Sequence, residues 1–197
     1  AALSNLTVGY HRESGFLGHK IKAEDEAHDL DCACSEYDRL LLIFKDGLYK
    51  VIHVPDKLFV GPDLYWLGVV KNDLVFNLIY RHGPENLAYV KRFATPKFIL
   101  GRDYRLFEAD KRSAILLLLL GKEGLRVRAS LAPSARAKYN AVEIELDEVL
   151  IKGVSAKGKR IANRAVRRVT DITGTPKKAP VSPLELPGFG GGSGEKE

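Results

Sequence analysis

The chain has 197 residues, 45% of them hydrophobic, which fits a globular protein with one well-buried core and not a disordered polypeptide. No apolar run approaches the roughly 20 residues that span a bilayer, and no basic N-terminal stretch precedes an apolar one, so we expect neither a transmembrane helix nor a signal peptide. The formal net charge is +6 and methionine is absent. Because the sequence contains no methionine, not even an initiating one, we expect it to be a fragment of a longer polypeptide.

One local pattern recurs five times: an apolar β-type run, a turn centred on glycine, and a second run that carries Lys or Arg. The turn glycines follow each other at spacings of 32, 36, 41 and 34 residues. They are Gly15, Gly47, Gly83, Gly124 and Gly158. Each copy predicts a β-hairpin, and Asp46-Gly47 is the strongest turn signal. The predicted hairpins cover residues 1–22, 37–54, 74–94, 115–131 and 149–169.

The segments between the hairpins complete the organisation. Residues 23–31 are acidic and polar, which predicts a loop, and 55–62 predict a connector. Further strands are predicted at 63–70, 98–100 and 141–146, while sustained helical periodicity is nearly absent. From Gly174 the composition turns to Pro, Gly, Ser and charge. We therefore predict a folded domain over 1–172 and a disordered tail over 173–197.

A hairpin unit that repeats at about 35–40 residues is typical of propeller-like arrays, in which each unit buries its apolar face against its neighbours. The predicted fold class is therefore all-β, with about four to five blades built from repeated hairpins. Whether the blades close a ring or leave it incomplete stays open at this point.

Sequence motifs give little support for catalysis. There is no Gly-x-Ser-x-Gly elbow, no His-Glu-x-x-His, no Walker loop and no dinucleotide fingerprint, and the five histidines are scattered. Cys32 and Cys34 are the only cysteines, two ligands short of a structural zinc site, so we expect plain reduced thiols. We predict no catalytic residue, no metal site and no cofactor in this chain.

Basic residues carry the sharpest functional hypothesis. Residues 152–178 contain nine Lys and Arg against one acid, a local charge of +8, so the rest of the chain sums to −2. The second strands of the hairpins alternate basic and apolar residues, which predicts one buried face and one charged face. Repeated positive strands suit a repetitive polyanion such as duplex DNA. The candidate DNA-binding residues are Lys20, Lys22, Lys50, Lys91, Arg92, Arg126, Arg128, Lys152, Lys157, Lys159, Arg160, Arg164, Arg167 and Arg168.

Several segments together resemble a known family. DRLLLIFKDGLYKV (38–51) and IKGVSAKGKRI (151–161) look like the recurring blade hairpin in the C-terminal domain of the A subunit of bacterial type IIA topoisomerases. PDKLFVG (55–61) followed by YVKRF (89–93) looks most like topoisomerase IV A subunits of the Bacteroidetes or Chlamydiae type. The resemblance covers most of residues 5–170, and its specificity lies in the order of several motifs.

The resemblance implies a β-pinwheel, a propeller-like disc whose blades exchange strands and whose outer rim binds and bends duplex DNA. It implies a cytoplasmic, nucleoid-associated parent enzyme that cuts and reseals DNA with ATP and magnesium. The implied partners are duplex DNA, the N-terminal breakage-reunion region of the same polypeptide, and an ATPase B subunit. The glutamine-arginine-Gly-Gly-Lys-Gly box of gyrase has no match here, which favours a relaxing or decatenating, topoisomerase IV-like parent. No tyrosine matches the active-site region.

Three alternatives remain. A gyrase A domain without the wrapping box would share the fold, and a propeller-like protein-interaction domain would use the basic face as a solvated surface or for an acidic partner. A small carbohydrate- or ligand-binding β-domain would need an exposed aromatic cluster, which the alternation does not favour. Strong, sequence-independent and salt-dependent binding of duplex DNA would separate the leading hypothesis from these.

Overall fold

The computed structural model describes residues 5–22 and 27–176, together with the backbone of Ser182–Pro183. The chain divides into two compact units. Unit 1 holds the described residues within Ala1–Asp73 and Thr95–Lys111, and unit 2 holds those within Leu74–Ala94 and Arg112–Glu197. No helix in the described ranges is long and apolar enough to cross a membrane.

Unit 1 contains two four-stranded sheets. Sheet A has the order β3-β1-β2-β6, and sheet B has the order β10-β5-β4-β7. Every pairing in both sheets is antiparallel. The strands are β1 (Leu6–His11), β2 (Phe16–Gly18), β3 (Leu30–Cys34), β4 (Arg39–Phe44), β5 (Leu48–His53), β6 (Leu58–Phe59), β7 (Leu64–Val69) and β10 (Tyr104–Arg105).

Unit 2 repeats the arrangement. Sheet C has the order β11-β8-β9-β14, and sheet D has the order β15-β12-β13-β16, with β16 parallel to β13. A single 3₁₀ turn, Leu146–Glu148, is the helical element of the described chain. The strands are β8 (Val75–His82), β9 (Leu87–Ala94), β11 (Ala114–Leu120), β12 (Arg126–Leu131), β13 (Ala141–Glu145), β14 (Lys159–Arg160), β15 (Val166–Asp171) and β16 (Ser182–Pro183).

All four sheets share one plan. Two consecutive strands form a hairpin, the next strand or the next but one pairs with the first strand of that hairpin, and a two-residue strand from later in the chain pairs with the second. In sheets A, B and C that short strand follows the hairpin of the next sheet in sequence. The prediction of an all-β fold with about four to five repeated hairpin units is confirmed, with four sheets in the described residues.

The hairpins around Gly15, Gly47 and Gly83 are confirmed as β1-β2, β4-β5 and β8-β9. Gly47 has φ +90°, and an added Cβ would lie 2.7 Å from the Phe107 ring, so the turn requires glycine. Leu48 N donates to Asp46 Oδ1 over 3.1 Å and closes the turn. In the third hairpin the residue with positive φ is Asn86, not Gly83.

The hairpins predicted at residues 115–131 and 149–169 are wrong. β11 pairs with β8 in sheet C, whereas β12 pairs with β13 and β15 in sheet D, so the turn at Gly124 connects two sheets. Likewise Gly158 directly precedes β14, which pairs with β9 in sheet C, whereas β15 pairs with β12 in sheet D, so residues 149–169 form no hairpin. A glycine turn between two apolar runs fixes a reversal of the chain, but it does not fix the strand that each run pairs with.

Four strands lie where the sequence predicts none: β10, β16 in the predicted tail, and the two described next. β3 begins at the end of the predicted acidic loop, and β6 lies in the predicted connector. Both pair through their backbone with a hairpin already formed, β3 with β1 and β6 with β2, which a short polar sequence does not reveal. Residues 98–100 form no strand. Most of the predicted tail, 173–197, lies outside the described residues.

Each unit has its own hydrophobic core. In unit 1 the core joins sheets A and B through Val8, Tyr10, Leu17, Leu40 and Leu42. In unit 2 it joins sheets C and D, and its members include Ile79, Val90, Val127, Ile144 and Ile161. Within each unit, the two sheets are held together by the burial of apolar area, which is the dominant favourable term in folding.

Candidate nucleic-acid interface

The fourteen candidate residues fall into three groups according to what their side chains contact. Two are buried, five are engaged by acids or carbonyls at the surface, and the other seven comprise five exposed residues of unit 2, the exposed Lys22 and the half-buried Lys50. The prediction that all of them lie on a charged, solvent-facing side of a strand is therefore wrong for part of the set. Which of them bind DNA stays a prediction.

Lys91 is 4% exposed, although it was predicted to face solvent. Its Nζ donates hydrogen bonds to Val154 O over 2.6 Å and to Ala156 O over 2.9 Å. The ammonium also lies 5.8 Å from the ring centroids of Tyr80 and Phe93. Burial lowers the pKa of Lys91 to about 8. Lys91 therefore holds residues 154–156 against β9 and does not present its charge to a ligand.

A pH dependence of stability follows from Lys91. Its pKa is about 8 in the folded chain against 10.5 for an ordinary lysine, so above pH 7 the unfolded chain binds more protons and this group makes stability rise with pH. Relative to Lys91→Met, the wild type should gain about 1 kcal/mol in free energy of unfolding between pH 7 and pH 9. Urea unfolding at both pH values measures it. A difference between the two proteins that is the same at both values would refute the assignment.

Arg92 is 5% exposed and forms the centre of a buried polar network. Its Nε donates to Asn77 Oδ1 over 2.7 Å, Nη1 donates to Val149 O over 3.2 Å, and Nη2 donates to Lys122 O. The Asn77 amide in turn donates to Leu119 O and Gly121 O. This network ties β8 and β9 to the segments that lead into and out of sheet D. The predicted exposure of Arg92 is therefore also wrong.

Residues 149–160, which we call the β9 loop, are fastened along one edge of β9. Lys152 N donates to Arg92 O over 2.9 Å, and Ile151 forms a parallel bridge with Arg92. Further along, Lys159 lies opposite Val90 in the antiparallel pairing of β14 with β9. Lys152 and Lys159 are therefore held about two residues apart along β9, roughly 7 Å.

Gly158 allows the β9 loop to approach β9 closely. It has φ +95°, and an added Cβ would lie 2.5 Å from Val90 O. Its neighbour Lys157 is exposed, but Nζ lies 2.7 Å from Glu85 Oε1 and 4.7 Å from the Tyr89 ring centroid. The hydrogen bond to Glu85 raises the pKa of Lys157. Part of the Lys157 charge is therefore balanced within the protein.

Three arginines of sheet D are also engaged. Arg126 and Arg128 on β12 lie 3.3 Å and 3.4 Å from the carboxylate of Glu143 on β13. Arg164 donates to Ala132 O over 2.8 Å, to Asn140 Oδ1 over 3.1 Å and to Tyr139 O. Its guanidinium therefore secures both ends of the connection between β12 and β13. These contacts show that Arg126 and Arg164 stabilise the fold, and any contact of theirs with phosphate would be an additional role.

Five candidates of unit 2 expose their side chains in two places. Lys152 and the β14 residues Lys159 and Arg160 lie on the β9 loop at one edge of sheet C, and Arg167 and Arg168 lie on the edge strand β15 of sheet D. A β-bulge leaves Arg167 opposite no residue of β12, so two adjacent arginines are both exposed. Charged residues on edge strands also discourage edge-to-edge aggregation, so the exposure of these cations has a structural explanation as well.

The three candidates of unit 1 are less concentrated. Lys20 is exposed, and its Nζ lies 2.9 Å from Asp56 Oδ2. Lys50 is half-buried, with Nζ 5.8 Å from the Phe44 ring centroid, and Lys22 is exposed beyond β2. Among the candidate residues, unit 2 therefore carries the larger share of exposed positive charge.

The cysteines lie on β3 as free thiols, Cys32 half-buried and Cys34 buried. Burial raises the pKa of both thiols, that of Cys34 to about 11, which disfavours the reactive thiolate. Within the described ranges, no group of three or more His, Cys, Asp or Glu could hold a metal ion.

Comparison with known proteins assigns the chain to a family. Residues 7–173 match the family described as "Topoisomerase C-terminal domain, Bacteroidota". The A subunit of DNA topoisomerase 4 from Borreliella burgdorferi is 28% identical over 177 residues, which cover 85% of this chain and 25% of that protein, so the chain spans about a quarter of its length. The crystal structure of the C-terminal domain of DNA topoisomerase IV superposes with a TM-score of 0.55 at 10% identity, over 87% of this chain and 62% of that one, which confirms the β-pinwheel fold. This chain belongs to the bacterial topoisomerase C-terminal domain family.

Proposed function

We propose that this chain is a non-catalytic domain that binds and bends duplex DNA for a type IIA topoisomerase. The observation that carries the proposal is the set of exposed cations in unit 2, with Lys152, Lys159 and Arg160 at one edge of sheet C and Arg167 and Arg168 on the edge strand β15 of sheet D. Residues 152–168 contain seven Lys and Arg and no acid, and the nearest acids in sequence are Glu148 and Asp171. We call these five residues the basic surface.

Contacts of the basic surface with phosphates would be independent of base sequence and strongly dependent on salt, because each neutralised phosphate releases a condensed counterion. Four of the five side chains project from edge strands, which are paired on one side by the sheet and fixed in position. A rigid array of cations holds a polyanion without ordering flexible loops on binding. This makes duplex DNA a better ligand for the surface than a flexible acidic peptide.

The family also suggests a parent enzyme. We infer a topoisomerase IV-like protein in the bacterial cytoplasm that relaxes and decatenates DNA in chromosome segregation, with ATP and magnesium acting outside this domain. Its partners would be the breakage-reunion region of the same polypeptide and an ATPase B subunit. The relative named above, which belongs to a topoisomerase 4, supports this inference over a gyrase parent.

The test is a titration of the isolated chain with duplexes of two unrelated sequences over a range of salt concentrations. We expect both duplexes to bind equally, with a logarithm of the association constant that falls linearly with the logarithm of salt. Relaxed and supercoiled circles in competition then report on bending. Absence of binding at moderate salt, or binding without salt dependence, would instead support a protein-interaction domain.

A further inference from the structure

Two large apolar side chains are exposed in the middle of the β9 loop. Leu150 is 74% exposed and Ile151 is 44% exposed, directly beside Lys152 of the basic surface. Val149, by contrast, is buried in the core of unit 2. A single exposed leucine is ordinary on a protein surface, but an adjacent apolar pair that precedes a basic stretch calls for a ligand with both apolar and anionic parts.

The backbone under Leu150 is rigid. On one side, Val149 O accepts a hydrogen bond from Arg92 and Val149 N donates to Leu146 O over 3.0 Å. On the other side, Lys152 N donates to Arg92 O over 2.9 Å. The exposed side chain therefore projects from a segment held at both ends by the buried network. It would lose little conformational freedom on binding, which is the physical basis of preorganisation.

Two lysines lie beside the exposed Leu150 side chain. Leu150, Lys152 and Lys159 line the same cavity, with a volume of about 360 Å³, together with Glu148. Both lysines are exposed, and their backbones are held about 7 Å apart along β9, close to the spacing of successive phosphates on one DNA strand. An apolar projection and phosphate-binding cations thus lie within reach of one strand of a duplex.

We propose that Leu150, supported by Ile151, is an apolar wedge that enters the minor groove and partly unstacks one base step, while Lys152 and Lys159 bind the adjacent phosphates. This deepens the proposed function and rests on it. Proteins that bend DNA from the minor groove combine such a wedge with flanking basic residues, and flexible pyrimidine–purine steps accept it at the lowest cost. The wedge would supply the local kink that contacts with phosphates alone do not provide.

An apolar protein partner is the other occupant that this pair could take. The charge around it argues against that choice, because residues 147–168 carry seven Lys and Arg against two acids, Asp147 and Glu148. A protein that covered Leu150 would have to bring acids to match these cations, whereas a duplex brings phosphates on both sides of the groove. The experiment is designed so that either occupant leaves a distinct result.

The test uses a short duplex with 2-aminopurine at a central TA step and a donor–acceptor dye pair at its ends. For wild type we expect a rise in 2-aminopurine fluorescence and a shorter end-to-end distance on binding. In Leu150→Ala both signals should disappear, while the salt slope of binding stays unchanged. The affinity should fall by less than about tenfold, because the loss of buried apolar area is offset by the base stacking that the duplex keeps when no wedge enters it. Leu120→Ala, which truncates a leucine that is 40% exposed on β11, is the matched control and should behave as wild type.

Three results would overturn the wedge. Wild-type signals in Leu150→Ala would show that bending does not use this side chain. Failure of every variant and of wild type to bind duplex DNA would remove the proposed function as well. The third result is that Leu150→Ala loses self-association, or binding to the rest of the topoisomerase, while its 2-aminopurine fluorescence stays as in wild type. This result would assign the apolar pair to a protein contact.

Discussion

Replacing Arg92 by Met is expected to lower the free energy of unfolding by about 3 kcal/mol, because two buried acceptors and one partly buried acceptor lose their donor. These acceptors are Asn77 Oδ1, Val149 O and Lys122 O. Met fills a similar length and removes the buried charge, so the expected loss reflects acceptors left without a partner. Arg92→Lys keeps the charge but not the planar fork, and should recover only part of the stability.

Urea unfolding of Arg92→Met beside Arg168→Met measures this effect. Arg168 is exposed on β15, so its replacement should change stability by no more than about 0.5 kcal/mol. Equal midpoints for the two variants would contradict the role of Arg92. Since Arg92 also anchors the β9 loop, its replacement should weaken DNA binding indirectly, even though the side chain does not reach a phosphate.

Removing four cations of the basic surface should have the largest effect on DNA binding. In a variant with Lys159, Arg160, Arg167 and Arg168 replaced by Gln, the salt slope should fall in magnitude by up to about 4, or roughly 0.9 for each phosphate that is no longer neutralised. The folded state should persist, because all four side chains are exposed. Affinity should fall most at low salt, where counterion release contributes most.

A variant of the same net charge separates local contacts from bulk electrostatics. Lys45, Lys71, Lys97 and Lys111 are exposed lysines of unit 1 outside the candidate set, and changing them to Gln removes the same formal charge. We expect a clearly smaller change in salt slope from this control. Equal changes in the two variants would mean that net charge governs binding and that no defined surface exists in unit 2.

Local features of the sequence predicted three of the five proposed hairpins correctly. The Asp46-Gly47 turn between LLLIF and LYKVI needs no information from distant residues, and the same holds for the first and third hairpins. The strands β3, β6 and β14 could not be found in this way, because each consists of a few residues that pair with a strand already in place. Strand exchange between sheets is a long-range property.

The candidate site was predicted less completely. The alternation rule assumes that one face of a strand meets solvent, but β9 is buried on both faces, so Lys91 and Arg92 are both inside. The surrounding sequence AYVKRFA, with apolar residues on either side of two cations, was the available signal. Arg164 was placed with the exposed set because the connection that it secures is distant in sequence. The curved DNA path along the blades stays a prediction.

The most direct test of the central claim is lysine acetylation of the chain, read by mass spectrometry, with and without saturating duplex DNA. We predict that Lys152 and Lys159 become protected by DNA, that the exposed Lys97 and Lys111 stay reactive, and that the buried Lys91 is unreactive in both states. Undiminished acetylation of Lys152 and Lys159 under saturation, or equal protection of Lys97 and Lys111, would contradict a DNA-binding surface in unit 2.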